Sequence, residues 1–346
     1  MNKNKNIGNT ILIIFKDIYK HINKIFSIYL IKILFIIILL NYINYMFLYF
    51  NNNQNNISEN DLNFKYHEYG RNIINNKMIK EAHWQLSMNQ AFFINGLIRK
   101  KKVKKCLEIG VADGGSSILI LNALKDIKNS FLISLDLNTQ SCTDKLKKTG
   151  NRVETYFPEL MKKWKLYTGD LPHKFLDKLN LKFEFVFIDS AHVTPGEILN
   201  LIEILPFLEE NAIIVVHDIL WHLTRRKPKP PKEVKFTPSS LYLISSLYGD
   251  KIVIKNDLDE SGIENIGAVF LYKNQKKHYL DYFLLLNSFW EYMPSIQQLN
   301  DLRKFIKKYY KYTIFIKLFE YSVKYNEIYI KKFHKFVNNC FINNTN

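Results

Sequence analysis

Between about residues 80 and 275, short continuous apolar runs alternate with stretches whose apolar positions recur at helical spacing. Ala82 to Ile98 has that spacing at Trp84, Leu86, Phe92, Phe93 and Leu97, and predicts a helix. Cys106 to Ile109 is a short buried strand that enters a glycine turn, and Ser117 to Leu124 continues as a helix. Phe131 to Leu135 is a second strand ending at Asp136, and Tyr167 to Asp170 marks the end of a third. Phe183 to Ile188 is a fourth strand, Ile198 to Leu208 a helix, and Ala212 to Val216 a fifth strand. Strands that are apolar throughout suit a parallel sheet buried on both faces. The alternation predicts an α/β, Rossmann-like architecture with helices on either side. Lys251 to Ile254 and Ala268 to Tyr272 have no helix between them and predict an antiparallel pair that closes the sheet.

Outside that stretch the pattern changes twice. Lys3, Lys5, Lys16, Lys20 and Lys24 precede an apolar run, 33–50, broken only by Asn41 and Asn44. Such a run is near the lower limit of a spanning helix, which needs about 20 residues, and its tyrosines suit an interfacial helix equally. From about Tyr279 the chain is helical, aromatic and basic. The expected organisation is therefore a basic hydrophobic segment (1–56), a central domain (57–275) and a helical tail (276–346).

Composition adds less. With 47% hydrophobic and 23% charged residues, the 346-residue chain is not disordered as a whole. Three scattered cysteines exclude a disulfide scaffold or a cysteine zinc site. The net charge of +17 points to nucleic acid, anionic lipid or an acidic substrate. Lysine, asparagine and isoleucine are abundant even in loops, so the charge alone selects none of them.

The chemistry is concentrated at strand ends. The turn from Gly110 to Ser117 contains Gly110, Gly114 and Gly115, as needed where backbone turns sharply beside a ligand. Asp136, Asp170 and Asp189 end three successive strands. In an open parallel sheet that edge is where ligands bind, and an acid after the second strand can accept both hydroxyls of a ribose. A nucleoside-type cofactor follows. The nicotinamide fingerprint would need glycine where Ala112 stands.

These residues resemble a known family. Leu107 to Gly110 with Gly114-Gly115-Ser116 is similar to the first motif of class I S-adenosylmethionine-dependent methyltransferases. Phe185 to His192, Ile213 to Asp218 and Asn265 to Phe270 resemble the later strands of one branch. That branch contains the family-24, cephalosporin-hydroxylase-like and metal-dependent sugar O-methyltransferase proteins. The resemblance implies a seven-stranded sheet with its last strand antiparallel, and S-adenosylmethionine as cofactor. It implies that Glu108, Gly110, Gly114, Gly115 and Ser116 meet the methionine part, Asp136 the ribose, and that Asp170 lies near the adenine.

The fourth and fifth strand ends can be read directly. Asp189 and His192 line one pocket, and Asp218 converges on them from the neighbouring strand. Two carboxylates in one crevice repel unless a cation or proton intervenes, and Mg²⁺ binds through one or two protein carboxylates. Asp189, Asp218 and His217 are the expected ligands of an optional Mg²⁺. His217 departs from the branch, where that position is acidic. With Asp189, His192 forms the expected catalytic pair, His192 taking the proton of an acceptor hydroxyl.

The basic segment 225–232 follows the fifth strand closely and suits a clamp on a phosphate-bearing acceptor, with Trp221 and His222 packing on a sugar face. The acceptor expected is a small molecule or saccharide. Asp189-Ser190-Ala191-His192 lacks the proline-rich fourth motif of methyltransferases acting on base amino groups, which argues against nucleic acid. The cofactor implies the cytoplasm, so the run 33–50 is expected to attach to the inner face of the membrane. Two rival readings stand beside this one: a non-catalytic membrane-associated protein that keeps the fold, and a nicotinamide-dependent oxidoreductase.

Overall fold

Continuous apolar runs supply the centre of the sheet. β1 (Lys105–Ile109), β2 (Phe131–Asp136), β3 (Trp164–Thr168), β4 (Phe183–Ile188) and β5 (Leu208–His217) pair in parallel, in the order β3-β2-β1-β4-β5. In β4, Phe183, Phe185, Val186, Phe187 and Ile188 are all fully buried, as a strand covered on both faces requires. The one polar residue, Glu184, accepts a hydrogen bond from the Lys104 backbone N–H at 2.7 Å. β7 (Ile266–Leu271) runs antiparallel to β5, and β6 (Gly249–Val253) pairs antiparallel with β7 at the edge. The sheet thus has seven strands with the final one inserted antiparallel, as expected.

The computed structural model describes residues 86–219, 239–253 and 265–342, with Tyr66, Tyr69, Gly70, Arg71, Lys77, Met78 and Lys80. All lie in the larger of two units, Asn56–Asn346. The apolar run 33–50, Trp221, His222 and the basic segment 225–232 lie outside the described residues. Among the described residues no helix is long and apolar enough to cross a membrane.

The helices follow local rules. α1 (Met88–Lys101) starts at a capping box in which Ser87 and Gln90 satisfy each other's backbone N–H groups, and ends on a run of Arg99, Lys100 and Lys101. α2 (Gly115–Leu124) opens directly after Gly114, whose φ of +96° suits glycine. α3 (Asn151–Tyr156) and α4 (Pro172–Leu179) follow β2 and β3. α5 (Gly196–Ile204) stops earlier than the apolar spacing predicts, because Pro206 cannot continue a helix. Leu208 accordingly begins β5 rather than ending the helix. α6 (Ser239–Ser246) precedes β6.

The C-terminal elements α7 (Tyr279–Leu284), α8 (Ile296–Tyr309) and α9 (Thr313–Ile342) are built against the sheet's helices. Phe305 is buried among His173, Phe207, Tyr309 and Tyr310. The Tyr310 hydroxyl donates to the Ile202 carbonyl at 2.5 Å, tying this extension to α5. Trp290, almost fully buried, donates its backbone N–H to Asn326 Oδ1 at 2.8 Å.

Candidate active site

The turn after β1 is held by two carboxylates. Asp136 Oδ2 accepts the N–H groups of Val111 and Ala112 at 2.8 and 3.0 Å, and Oδ1 accepts that of Asn138 at 2.7 Å. A carboxylate offers about four acceptor positions, so one remains for a ligand hydroxyl. Glu108 lies behind the turn, fully buried, and accepts hydroxyl hydrogens from Ser116, Ser117 and Ser134 at 2.5, 2.6 and 2.5 Å. Burial pushes its carboxyl up to about 7, and the three hydroxyls keep it from rising further.

A cavity of about 1160 Å³ opens beyond the carboxyl ends of the strands. Gly110, Asp136, Asp170, Asp189, His192, His217 and Asp218 all line it. Glu108, Gly114, Gly115 and Ser116 are not on its wall. The Glu108 side chain points to the serines at the helix start, so it holds the turn and the start of α2. Asp113, also expected nowhere in the site, takes Ser141, Thr143 and Arg152 and so anchors the loop after β2.

His192 is the centre of the polar cluster. Its Nε2 lies 3.2 Å from Asp218 Oδ2 and 3.6 Å from Asp189 Oδ1, and its Nδ1 lies 3.3 Å from Glu197 Oε1. Burial alone would lower the imidazole, but Glu197, Asp189 and Asp218 outweigh it and push it up to about 9. Both His192 and Asp218 have positive φ, 55° and 53°. Strained backbone at two residues bearing polar groups in a cavity is a mark of functional geometry. Asn265, just before β7, donates its amide to Asp218 Oδ1.

Asp189, His192 and Asp218 offer ligand atoms that all lie within 4.8 Å of one another. Two carboxylates and an imidazole fit a divalent cation. His217 does not join them. Its Nε2 faces Gln90 Oε1 at 3.2 Å and its Nδ1 lies 3.2 Å from Asp189 Oδ1. Both ring nitrogens are turned to protein oxygens, so the ligand role expected of His217 passes to His192. Burial lowers His217, yet Asp189 and Asp218 raise it to about 9. The same two histidines hold Asp189 below its usual range despite its burial, whereas burial and Asp189 leave Asp218 raised.

Four residues of the wall or its support were not foreseen. Glu197, fully buried, takes the Ser240 hydroxyl at 2.7 Å as well as that of Ser239. Glu203 faces His173 Nδ1 at 2.5 Å. These acids sit in an amphipathic helix with nothing local to distinguish them. Gln90 was legible, since Ser87 and Gln90 have the capping-box spacing. Asn265 stood in a quoted motif without a role.

A sheet of this order, with acids ending β2, β4 and β5 around one cavity, is the arrangement that the sequence resemblance implies. Residues 107–219, from β1 to just past β5, match the family described as a methyltransferase domain. Comparison with curated protein sequences finds no match. Among solved structures, an O-methyltransferase from Bacillus cereus in complex with SAH is 16% identical, with a TM-score of 0.43, over 57% of this chain and 92% of its own. The O-methyltransferase TomG from Streptomyces achromogenes, in complex with SAM, is 15% identical, with a TM-score of 0.42, over 60% and 99%. The SAH-bound methyltransferase PaMTH1 from Podospora anserina is 18% identical, with a TM-score of 0.42, over 64% and 97%.

Proposed function

We propose that the protein transfers the methyl group of S-adenosylmethionine to a hydroxyl oxygen of a small molecule or saccharide. The observation that carries this is the charge of the cavity wall. Asp136, Asp170, Asp189, Glu203 and Asp218 line it and outnumber the two histidines, His192 and His217, with no lysine or arginine among the described lining residues. Such a wall favours a ligand bearing a sulfonium and an ammonium, and opposes the pyrophosphate of a nicotinamide dinucleotide. The turn argues the same way: a dinucleotide phosphate would need the Val111 and Ala112 N–H groups, which Asp136 occupies.

In this reading Asp136 binds the ribose and Asp170 lies by the adenine. His192 Nε2 takes the acceptor hydroxyl's proton. The oxygen then attacks the methyl carbon in line, the carbon–sulfur bond breaks, and its electron pair stays on sulfur. Asp189 and Asp218 orient His192 and stabilise the positive charge it acquires. An approaching sulfonium opposes their hold on the proton and brings His192 down towards a useful range.

The convergence of Asp189, His192 and Asp218 supports a second reading. The three would hold a divalent cation, which would lower the pKa of an acceptor hydroxyl and make a separate base unnecessary. The cofactor places the enzyme in the cytoplasm, and the lysine-flanked run 33–50 suits attachment to the inner leaflet. Recovery of the full-length protein wholly in the soluble fraction without detergent would rule out that attachment.

Calorimetric titration with S-adenosylhomocysteine and, in parallel, NAD⁺ tests the central reading. Micromolar binding of the former, lost in Asp136→Ala, is expected. Binding of NAD⁺ instead would overturn it, and binding of neither by folded protein would favour the non-catalytic alternative.

A further inference from the structure

We propose that the outer face of α9 rests on an anionic membrane leaflet through an apolar stripe flanked by lysines. This depends neither on the run 33–50 nor on the reaction proposed above.

α9 carries two apolar series. Phe315, Phe319, Ser322, Val323 and Asn326 recur at helical spacing and are buried against α7 and α8. A second series, Ile314, Leu318, Tyr321, Tyr325 and Ile328, advances by alternate steps of four and three along a neighbouring face. That stripe is turned to solvent: Ile314, Tyr321 and Ile328 are 46%, 37% and 47% exposed. Phe289, itself 37% exposed, borders it and stacks on Tyr325 and Tyr329 at 6.3 and 4.4 Å between ring centres. Single exposed apolar residues need no explanation, but a continuous stripe marks a contact surface. Three residues beyond Phe289, Tyr292 lines the cavity, so the stripe adjoins the wall of the site.

The charges beside the stripe select the partner. Lys317 stands three residues after Ile314 and four before Tyr321, and Lys324 holds the same place between Tyr321 and Ile328. Both lysines are exposed. The acids of α9, Glu320 and Glu327, fall on the far side of that lysine row, and Glu320 is taken by Arg303 at 2.7 Å. Apolar and tyrosine side chains edged by lysine match an anionic lipid surface: the former enter the acyl boundary while the ammonium groups meet the headgroups. A second copy packed antiparallel on the stripe would set lysine row against lysine row, on a chain whose net charge is +17. A nucleic-acid backbone would use the lysines and leave the isoleucines in water.

A fluorescent probe on the stripe tests this in the full-length protein. Ile328→Cys, in a chain with Cys142→Ser and Cys340→Ser, takes an environment-sensitive fluorophore, while Cys106 is buried. Vesicles rich in phosphatidylglycerol should shift its emission to the blue, and vesicles of phosphatidylcholine alone should not. Adding Lys317→Glu and Lys324→Glu should raise the lipid needed by at least about tenfold. The substituted side chains on α9 are exposed, so the variants keep the fold, which circular dichroism verifies. An equal shift on both kinds of vesicle, or one indifferent to the two lysines, would overturn the proposal. So would the absence of binding, or binding without a shift, which would leave attachment to another part of the chain. A probe already shifted before lipid is added would overturn it as well. A shift that grows with protein concentration would identify a second copy, and one independent of concentration a covering by the chain's own residues.

Discussion

Gly110 and Asp189 are in backbone contact across the sheet: a β-carbon on Gly110 would lie 1.8 Å from the Asp189 carbonyl oxygen. The Asp189 N–H donates to the Ile109 carbonyl at 2.9 Å just beside it. The glycine turn and the polar cluster are thus one rigid unit. Gly110 also has a φ of +88°, which a side chain resists. Gly110→Ala should destabilise the fold by about 2–4 kcal/mol and abolish cofactor binding. Denaturant unfolding and calorimetry check this, and a stable variant with intact binding would refute the contact's importance.

Glu108 makes stability depend on pH. Its folded value of about 7 lies above the ordinary 4.5, so the folded state keeps a proton that the unfolded chain releases. Its contribution is most favourable near pH 4.5 and is lost as pH rises towards about 7. A change of this size corresponds to about 3 kcal/mol at most. Glu108→Gln removes the titration while keeping the shape. The variant should therefore gain on the wild type between pH 5 and pH 8, by up to about 3 kcal/mol, in chemical denaturation at both. A stability difference that does not change with pH would contradict this account.

Ligand identity at the polar cluster separates His192 from His217. Mn²⁺ titration should show binding in the wild type, its loss in Asp189→Asn and Asp218→Asn, and weakening in His192→Gln. His217→Gln should bind nearly as well as the wild type, because both ring nitrogens already face Gln90 and Asp189. Loss of binding in His217→Gln would restore it as a ligand. If the wild type binds no Mn²⁺ at millimolar concentration, the role of His192 reduces to that of a base.

The C-terminal extension should contribute through its apolar contacts. Phe305→Ala removes a buried ring between α4, α5 and α8 and should cost about 3–5 kcal/mol. Lys308→Ala breaks a 2.5 Å ion pair with Asp177 that is exposed to solvent, and should cost under about 1 kcal/mol. Thermal unfolding of the two variants compares them. Tyr292, Gln298 and Leu302 line the cavity, so Phe305→Ala should also weaken ligand binding.

The sheet was legible because β1, β2 and β4 are mostly apolar and buried and end at chemically distinctive residues. The inserted last strand and the convergence of Asp189, His192 and Asp218 follow from that pattern and the resemblance it supports. What the pattern does not carry is direction. Glu108 reads as a cofactor contact by position, yet the side chain turns away from the cavity to three serines. His217 reads as a ligand because it neighbours Asp218, but successive residues at a strand end face different ways. The contribution of residues 292–302 to the cavity was not legible either, since it depends on a long-range fit against α4 and α5.

The place of β7 between β5 and β6 has a consequence for how the chain folds as it is made. β6 is synthesised first, but it has no strand to pair with until β7 arrives. Until residue 271 has emerged, the free edge of β5 presents unpaired N–H and C=O groups beside the apolar side chains of Ile213 to Val216. Such an edge invites pairing with another chain. Chains stopped before Ile266 should therefore aggregate, whereas chains extended only a few residues past Leu271 already close that edge.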